Sequence, residues 1–156
     1  RAKSAKDALS KKVTQLIEEE REKATSYADK LIDDVKERDD FKSLNHDDQK
    51  NVLSKLRDRL TKLKGERFIA NMRQANNELS DLQTKALNDI QNYVARNSEN
   101  DDGGVQEPTK QYIRKSNIHV RFDKKELQTE EDVDEYIETL REAYMQRVKQ
   151  NTRITL

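Results

Sequence analysis

Apolar residues recur at spacings of three and four from the start of the chain. Leu9, Val13, Leu16, Ile17, Ala24, Tyr27, Ala28, Leu31, Ile32 and Val35 fall on one side of a helix predicted over Ala2 to about Arg38. The stripe is interrupted at Glu18–Lys23, a wholly charged run. It reads as a solvated stretch of helix, with a recognition patch as the alternative. The segment closes at Asp39-Asp40-Phe41 before a loop. Asn45 is then a good N-cap, with Asp47 and Asp48 placed where carboxylates favour the positive helix end and Leu44 positioned to staple from outside. The second helix, about 46–64, carries Val52, Leu53, Leu56, Leu60 and Leu63. Continuing that register past Gly65 would put apolar residues near Arg67 and Gln74. Instead the stripe restarts at Phe68 and runs through Ile69, Met72, Ala75, Leu79, Leu82, Ala86, Ile90, Tyr93 and Val94. A register jump at a glycine predicts a turn and a third helix over about 66–97. One continuous helix with a stutter is the alternative.

Three such segments joined by short connections predict an elongated antiparallel helical coiled coil, or three-helix bundle, over residues 1–97. Its thin seam would serve a dimer equally well. Residues 98–110, with Gly103, Gly104 and Pro108, read as a flexible linker. Residues 111–156 read as a small α/β unit. Ile118, Val120 and Phe122 alternate with His119 and Arg121 as in a strand, and Ile113 is a candidate for an earlier extended piece. Thr129-Glu130-Glu131-Asp132 has the form of a helix start. The helix that follows places Val133, Ile137, Leu140, Tyr144 and Val148 on one face, and Arg153–Leu156 is a second strand. Strand, helix and strand with short connections make a βαβ unit with parallel strands and a right-handed crossover. Two strands and one helix bury little core alone. The unit is therefore expected to lean on the helical rod, or on protein outside this sequence. The fold class is mainly α, with this small α/β unit at its end.

Composition narrows the function. Asp, Glu, Lys and Arg make up 40% of the chain, 31 basic against 31 acidic, and hydrophobic residues only 32%. Globular domains carry roughly 45–50% apolar residues, so a thin rod with a narrow seam fits best. Charge pairs such as Glu19 with Lys23 are favourable and Glu18 with Glu22 repulsive, each worth only about 0.2–0.5 kcal/mol. Zero net charge argues against a dedicated nucleic-acid module, which carries a clustered basic excess. No apolar run approaches the roughly 18–20 residues needed to span a bilayer, so no membrane partner is expected. The absence of cysteine fits a reducing cytoplasm. The chain opens at Arg1 in mid-pattern, which reads as an excised piece of a longer protein.

Catalytic chemistry is not visible. The two histidines, His46 and His119, lack the partners at metal-ligand spacing. Paired carboxylates at Asp33-Asp34, Asp39-Asp40 and Asp47-Asp48 are commonplace in so charged a chain, with nothing expected to bury them. Gly65, Gly103 and Gly104 make no phosphate-binding loop. No catalytic residue, cofactor or metal ligand is therefore expected, and the chain reads as no enzyme. Basic spots occur at Lys11-Lys12, Arg57–Lys64 and Arg114-Lys115. The middle one interleaves Arg57, Arg59, Lys62 and Lys64 with the apolar stripe. It is either a solvated face or a weak, salt-sensitive DNA contact.

The last forty residues resemble a known family. Ile118-His-Val-Arg-Phe-Asp-Lys-Lys-Glu-Leu127, then Thr129-Glu-Glu-Asp-Val-Asp-Glu-Tyr-Ile137, then Leu140-Arg-Glu142 and Asn151-Thr-Arg-Ile-Thr-Leu156 are similar to the C-terminus of the large P-loop ATPase (BrxC-type) of BREX phage-resistance systems. The resemblance covers residues 113–156 in detail and residues 1–97 in character. It implies a non-catalytic assembly or protein-interaction module at the end of a large cytoplasmic ATPase of bacterial antiviral defence. The nucleotide-binding residues would lie upstream. Implied partners are other defence components, among them a methyltransferase and a phosphatase-like protein, other parts of the parent ATPase, or a second copy. The competing readings are a weak DNA-contacting arm and a freestanding coiled-coil adaptor.

Overall fold

A computed structural model describes residues 2–99 and 109–156. Its elements are α1 (Ala2–Lys36), α2 (Asp39–Lys42), α3 (His46–Lys64), α4 (Ile69–Glu99), β1 (Gln111–Arg114), α5 (Glu130–Lys149) and β2 (Thr152–Thr155), with a single 3₁₀ turn at Lys115–Asn117. The fold is mainly α, with a parallel strand pair and its intervening helix at the C-terminal end. The chain divides into two compact units, Arg1–Ala86 and Leu87–Leu156.

In the first unit α1, α3 and the first part of α4 form a bundle. Ala24, Ala28, Leu31, Ile32 and Val35 of α1, Val52, Leu53, Leu56, Leu60 and Leu63 of α3, and Met72, Ala75 and Leu79 of α4 are buried. Polar ties fix the directions. Arg21 of α1 reaches the carbonyl of Glu66, just past the end of α3, so α1 and α3 run antiparallel. Glu20 and Tyr27 of α1 bond Arg73 and Ser80 of α4, so those two helices run the same way.

Local signals account for the helix ends. The Asn45 side chain accepts the Asp48 N–H at 2.9 Å and donates to its carboxylate at 2.8 Å. Capping of this kind satisfies donors that the first turn leaves without partners. Asp48, expected in an open helix turn, is in fact buried at 5% exposure. Phe41, expected before a loop, lies in the one-turn α2 and is buried, as is Leu44. Gln49 donates its amide to the Phe41 and Leu44 carbonyls and closes that corner. Between α3 and α4 the chain turns at Gly65, whose φ of −98° any residue can adopt. The turn is held by Glu66, whose carboxylate accepts from the Arg67 and Phe68 N–H groups and the Asn71 amide. Those bonds, Phe68 first, hold the Glu66 carboxyl below its usual pKa.

In the second unit Leu87, Ile90, Ile118 and Thr152 are buried. β1 and β2 are parallel, with Ile113 opposite Ile154. The strand expected at Ile118–Phe122 is not formed. The first strand is Gln111–Arg114, and the 118–122 stretch keeps its alternating burial without a ladder. α4 continues through Ser98 and Glu99, into the expected linker, and residues 100–108 of that linker lie outside the described residues.

Candidate interaction surfaces

The apolar stripe of α1 has two fates. From Ala24 to Val35 it is enclosed in the bundle. Leu9, Val13 and Leu16, expected in the same seam, are instead 64%, 45% and 43% exposed. The reason is length: α3 ends at Lys64, and Arg21 already meets the chain just beyond it at Glu66. Just before Arg21, Glu20 and Ile17 are half-buried and Glu20 still reaches Arg73 of α4, while Leu9, Val13 and Leu16 are exposed. The charged run at Glu18–Lys23 sits at this transition. Its bonds are Glu18 to Arg21 and Glu20 to Lys23 and Arg73, and Glu19 meets Gln15 where a pair with Lys23 was expected. The Arg73 guanidinium, then Lys23, holds the Glu20 carboxyl below its usual pKa.

The basic residues of α3 do not make one patch. Arg59 is half-buried and paired with Glu78 of α4 at 2.7 Å. Arg57, Lys62 and Lys64 are exposed. Arg57 and Lys64, seven residues apart, share a side of the helix, whereas Lys62 stands well round it.

In the α/β unit the outer edge of β1 is closed by a side chain. Asn88 of α4 accepts the Tyr112 N–H at 2.7 Å and donates to the Tyr112 carbonyl at 2.9 Å. One amide thus replaces a neighbouring strand. Nothing in the local sequence marks Asn88, because its partner is 24 residues away and the pairing exists only once the chain has folded. Thr129 and Asp132 form the expected capping box at the start of α5. Lys124 joins it, bonding Asp132 at 2.7 Å and Glu135 at 2.6 Å. The ammonium, together with the Gln128 and Thr129 N–H groups, lowers the Asp132 pKa to about 2. The same two carboxylates, Asp132 first, raise the Lys124 pKa to about 12. Phe122 meets Tyr136 edge to face, with centroids 5.3 Å apart.

α5 is turned from its expected orientation. Its half-buried residues include Tyr136, Leu140, Ala143 and Tyr144, while Val133, Ile137 and Val148 of the expected inner face are 40–53% exposed, with Met145 beside them.

Among the described residues no cluster of His, Cys, Asp or Glu could hold a metal ion. His46 and His119 are both exposed, on separate units. No described helix is long and apolar enough to cross a membrane.

These features define a helical bundle with a small parallel α/β unit. The family model described as the BrxC C-terminal alpha-beta domain matches residues 111–156, which span β1, α5 and β2. This bears out the resemblance drawn from the same residues. No curated protein and no solved structure matches the chain.

Proposed function

We propose that this chain is a non-catalytic assembly module of a BREX ATPase, whose task is to hold other proteins. The observation that carries the reading is the α1 seam. Leu9, Val13 and Leu16 share one exposed side of α1, ahead of the part of the same helix whose Ala24 to Val35 is core. Burying such a side chain stabilises by roughly 1.5–3 kcal/mol, so a helix that completes the seam gains binding energy from all three. The match of residues 111–156 to a domain of the BrxC protein supports the setting, and the partners proposed are the components of that defence system.

The test is co-purification with the co-encoded methyltransferase and phosphatase-like protein. The triple substitution Leu9→Glu, Val13→Glu, Leu16→Glu should abolish a complex that the unaltered chain forms, without changing the unfolding of the bundle. A complex that survives the triple substitution removes the seam from the account.

A DNA-contacting arm is a weaker reading, because Arg59 is engaged by Glu78 and Lys62 lies apart from Arg57 and Lys64. It requires binding to duplex DNA that falls steeply as salt rises. Absence of binding at low salt eliminates it.

A further inference from the structure

β2 lacks a neighbour. Along a strand in a parallel ladder, successive residues direct their backbone groups to opposite sides. The Asn151 carbonyl accepts the Gln111 N–H at 3.3 Å. Arg153 and Thr155 therefore also face β1, and Thr152 and Ile154 direct their N–H and C=O groups the other way. No hydrogen bond engages those outward groups among the described residues. The same alternation turns Tyr112 outward on β1, and there Asn88 answers it. One edge of the sheet is answered at Tyr112; the other, among the described residues, has unbonded outward groups at the buried Thr152 and at the half-buried Ile154, where the edge is more accessible.

The helix shows the same omission. Starting from the half-buried side of α5 at Tyr136, Leu140 and Ala143, the exposed Val133, Ile137, Met145 and Val148 lie about a third of a turn further in the winding sense of the helix. A parallel β–α–β crossover is right-handed. With that hand, the exposed flank lies on the β2 side of α5, above the open edge. Strand and helix thus want a neighbour in the same place.

We infer that this neighbour is a second copy of the chain, joined β2 to β2 in antiparallel sense about a twofold axis at Ile154. A twofold interface requires one patch to complement itself, and this one does. Centred on Ile154, the pairing sets Ile154 against its counterpart, Thr152 against Leu156, and Arg153 against Thr155. All the outward backbone groups become bonded, and Leu156, 95% exposed, gains a partner. Centring on Arg153 would oppose two guanidinium groups, which is unfavourable. Only Gln150 and Asn151 separate α5 from β2. Met145 and Val148 are therefore the flank residues nearest the axis, and they meet their counterparts across it. The product is a four-stranded sheet with two helices on one face, a size at which sheets hold together. This inference stands on the α/β unit alone, so its failure leaves the α1 reading untouched.

The chain has no cysteine, so introduced thiols test the geometry cleanly. In the proposed register Arg153 and Thr155 form the non-hydrogen-bonded pair, whose Cα atoms lie about 4.5 Å apart with the side chains closer, at the near end of the disulfide range of about 4.4–6.8 Å. Full-length Arg153→Cys/Thr155→Cys should oxidise to a covalent dimer, and Val13→Cys should not. By sedimentation velocity the unaltered chain should double its mass as concentration rises towards the order of 100 µM. Ile154→Pro removes an outward N–H that β1 does not use, and should return the mass to monomer with helicity retained. A chain that stays monomeric overturns the inference. So does a dimer that crosslinks through Val13 and persists in Ile154→Pro.

Discussion

The two units use their apolar residues differently. In the bundle Val35, Leu53, Leu56, Leu63, Met72 and Leu79 are enclosed almost completely. In the α/β unit the long helix α5 has no buried residue, and it leaves Val133, Ile137, Met145 and Val148 exposed. The bundle closes on itself through three helices. The strand pair closes one edge with a borrowed amide and leaves the other open. A core built from contiguous stripes can be self-sufficient at this size, whereas two strands and α5 bury little between them, and the buried residues of the second unit, Leu87, Ile90, Ile118 and Thr152, lie on α4, the loop after β1 and β2.

The largest expected contrast is within a single residue type. Leu79→Ala should destabilise the bundle by about 2–5 kcal/mol, the cost of an enclosed cavity. Leu9→Ala should change stability by no more than about 0.5 kcal/mol, as at other exposed positions. Urea unfolding of both variants measures this, and equal costs would erase the distinction between covered and bare seam. Next comes Asn88→Ala, which removes the two Asn88 bonds to the N–H and carbonyl of Tyr112 and should cost about 1–3 kcal/mol. The Tyr112 amide should then exchange with solvent much faster. Thr129→Ala should cost about 1 kcal/mol through loss of the N-cap on α5, read as fraying of its first turn by NMR.

The smallest effect is one of pH. Asp132 is lowered in the folded chain to about 2. Its contribution is therefore present above the unfolded carboxylate range and lost as pH falls through about 2. Lys124 runs the other way: raised to about 12, it contributes below the ordinary lysine range and the contribution is lost as pH rises through about 12. In Asp132→Asn the acid limb at the start of α5 should disappear. An Asp132 carboxyl that titrates near the ordinary aspartate value by NMR would rule out the Lys124 pairing.

Signals confined to a few neighbouring residues were legible in the sequence. Asn45 and Thr129 cap the helices they were expected to cap, and the order of strand, helix and strand follows from the pattern around α5. Signals that depend on distant partners were not. Ile118, Val120 and Phe122 alternate as a strand does, yet the ladder went to Gln111–Arg114, which has β2 on one side and Asn88 on the other. The rotation of α5 escaped for a related reason. Its apolar residues spread over more than half the helix, so spacing alone did not choose between the side at Tyr136 and the side at Val148. Periodicity also locates a seam without saying whether it is covered, so it did not separate Leu9, Val13 and Leu16 from the enclosed residues of α1. Of the basic face, residue type was visible in Arg57, Arg59, Lys62 and Lys64, but the pairing of Arg59 with Glu78 was not.

The central claim is that the α/β unit has one closed edge and one open edge, and that a second copy covers the open one. Amide hydrogen exchange on the full chain, compared at low and high protein concentration, tests it most directly. The account expects the Tyr112 amide to be protected at both concentrations, and the Ile154 amide to exchange rapidly when dilute and to become protected when concentrated. An Ile154 amide that is protected in the dilute chain, or still unprotected in the concentrated one, would contradict it.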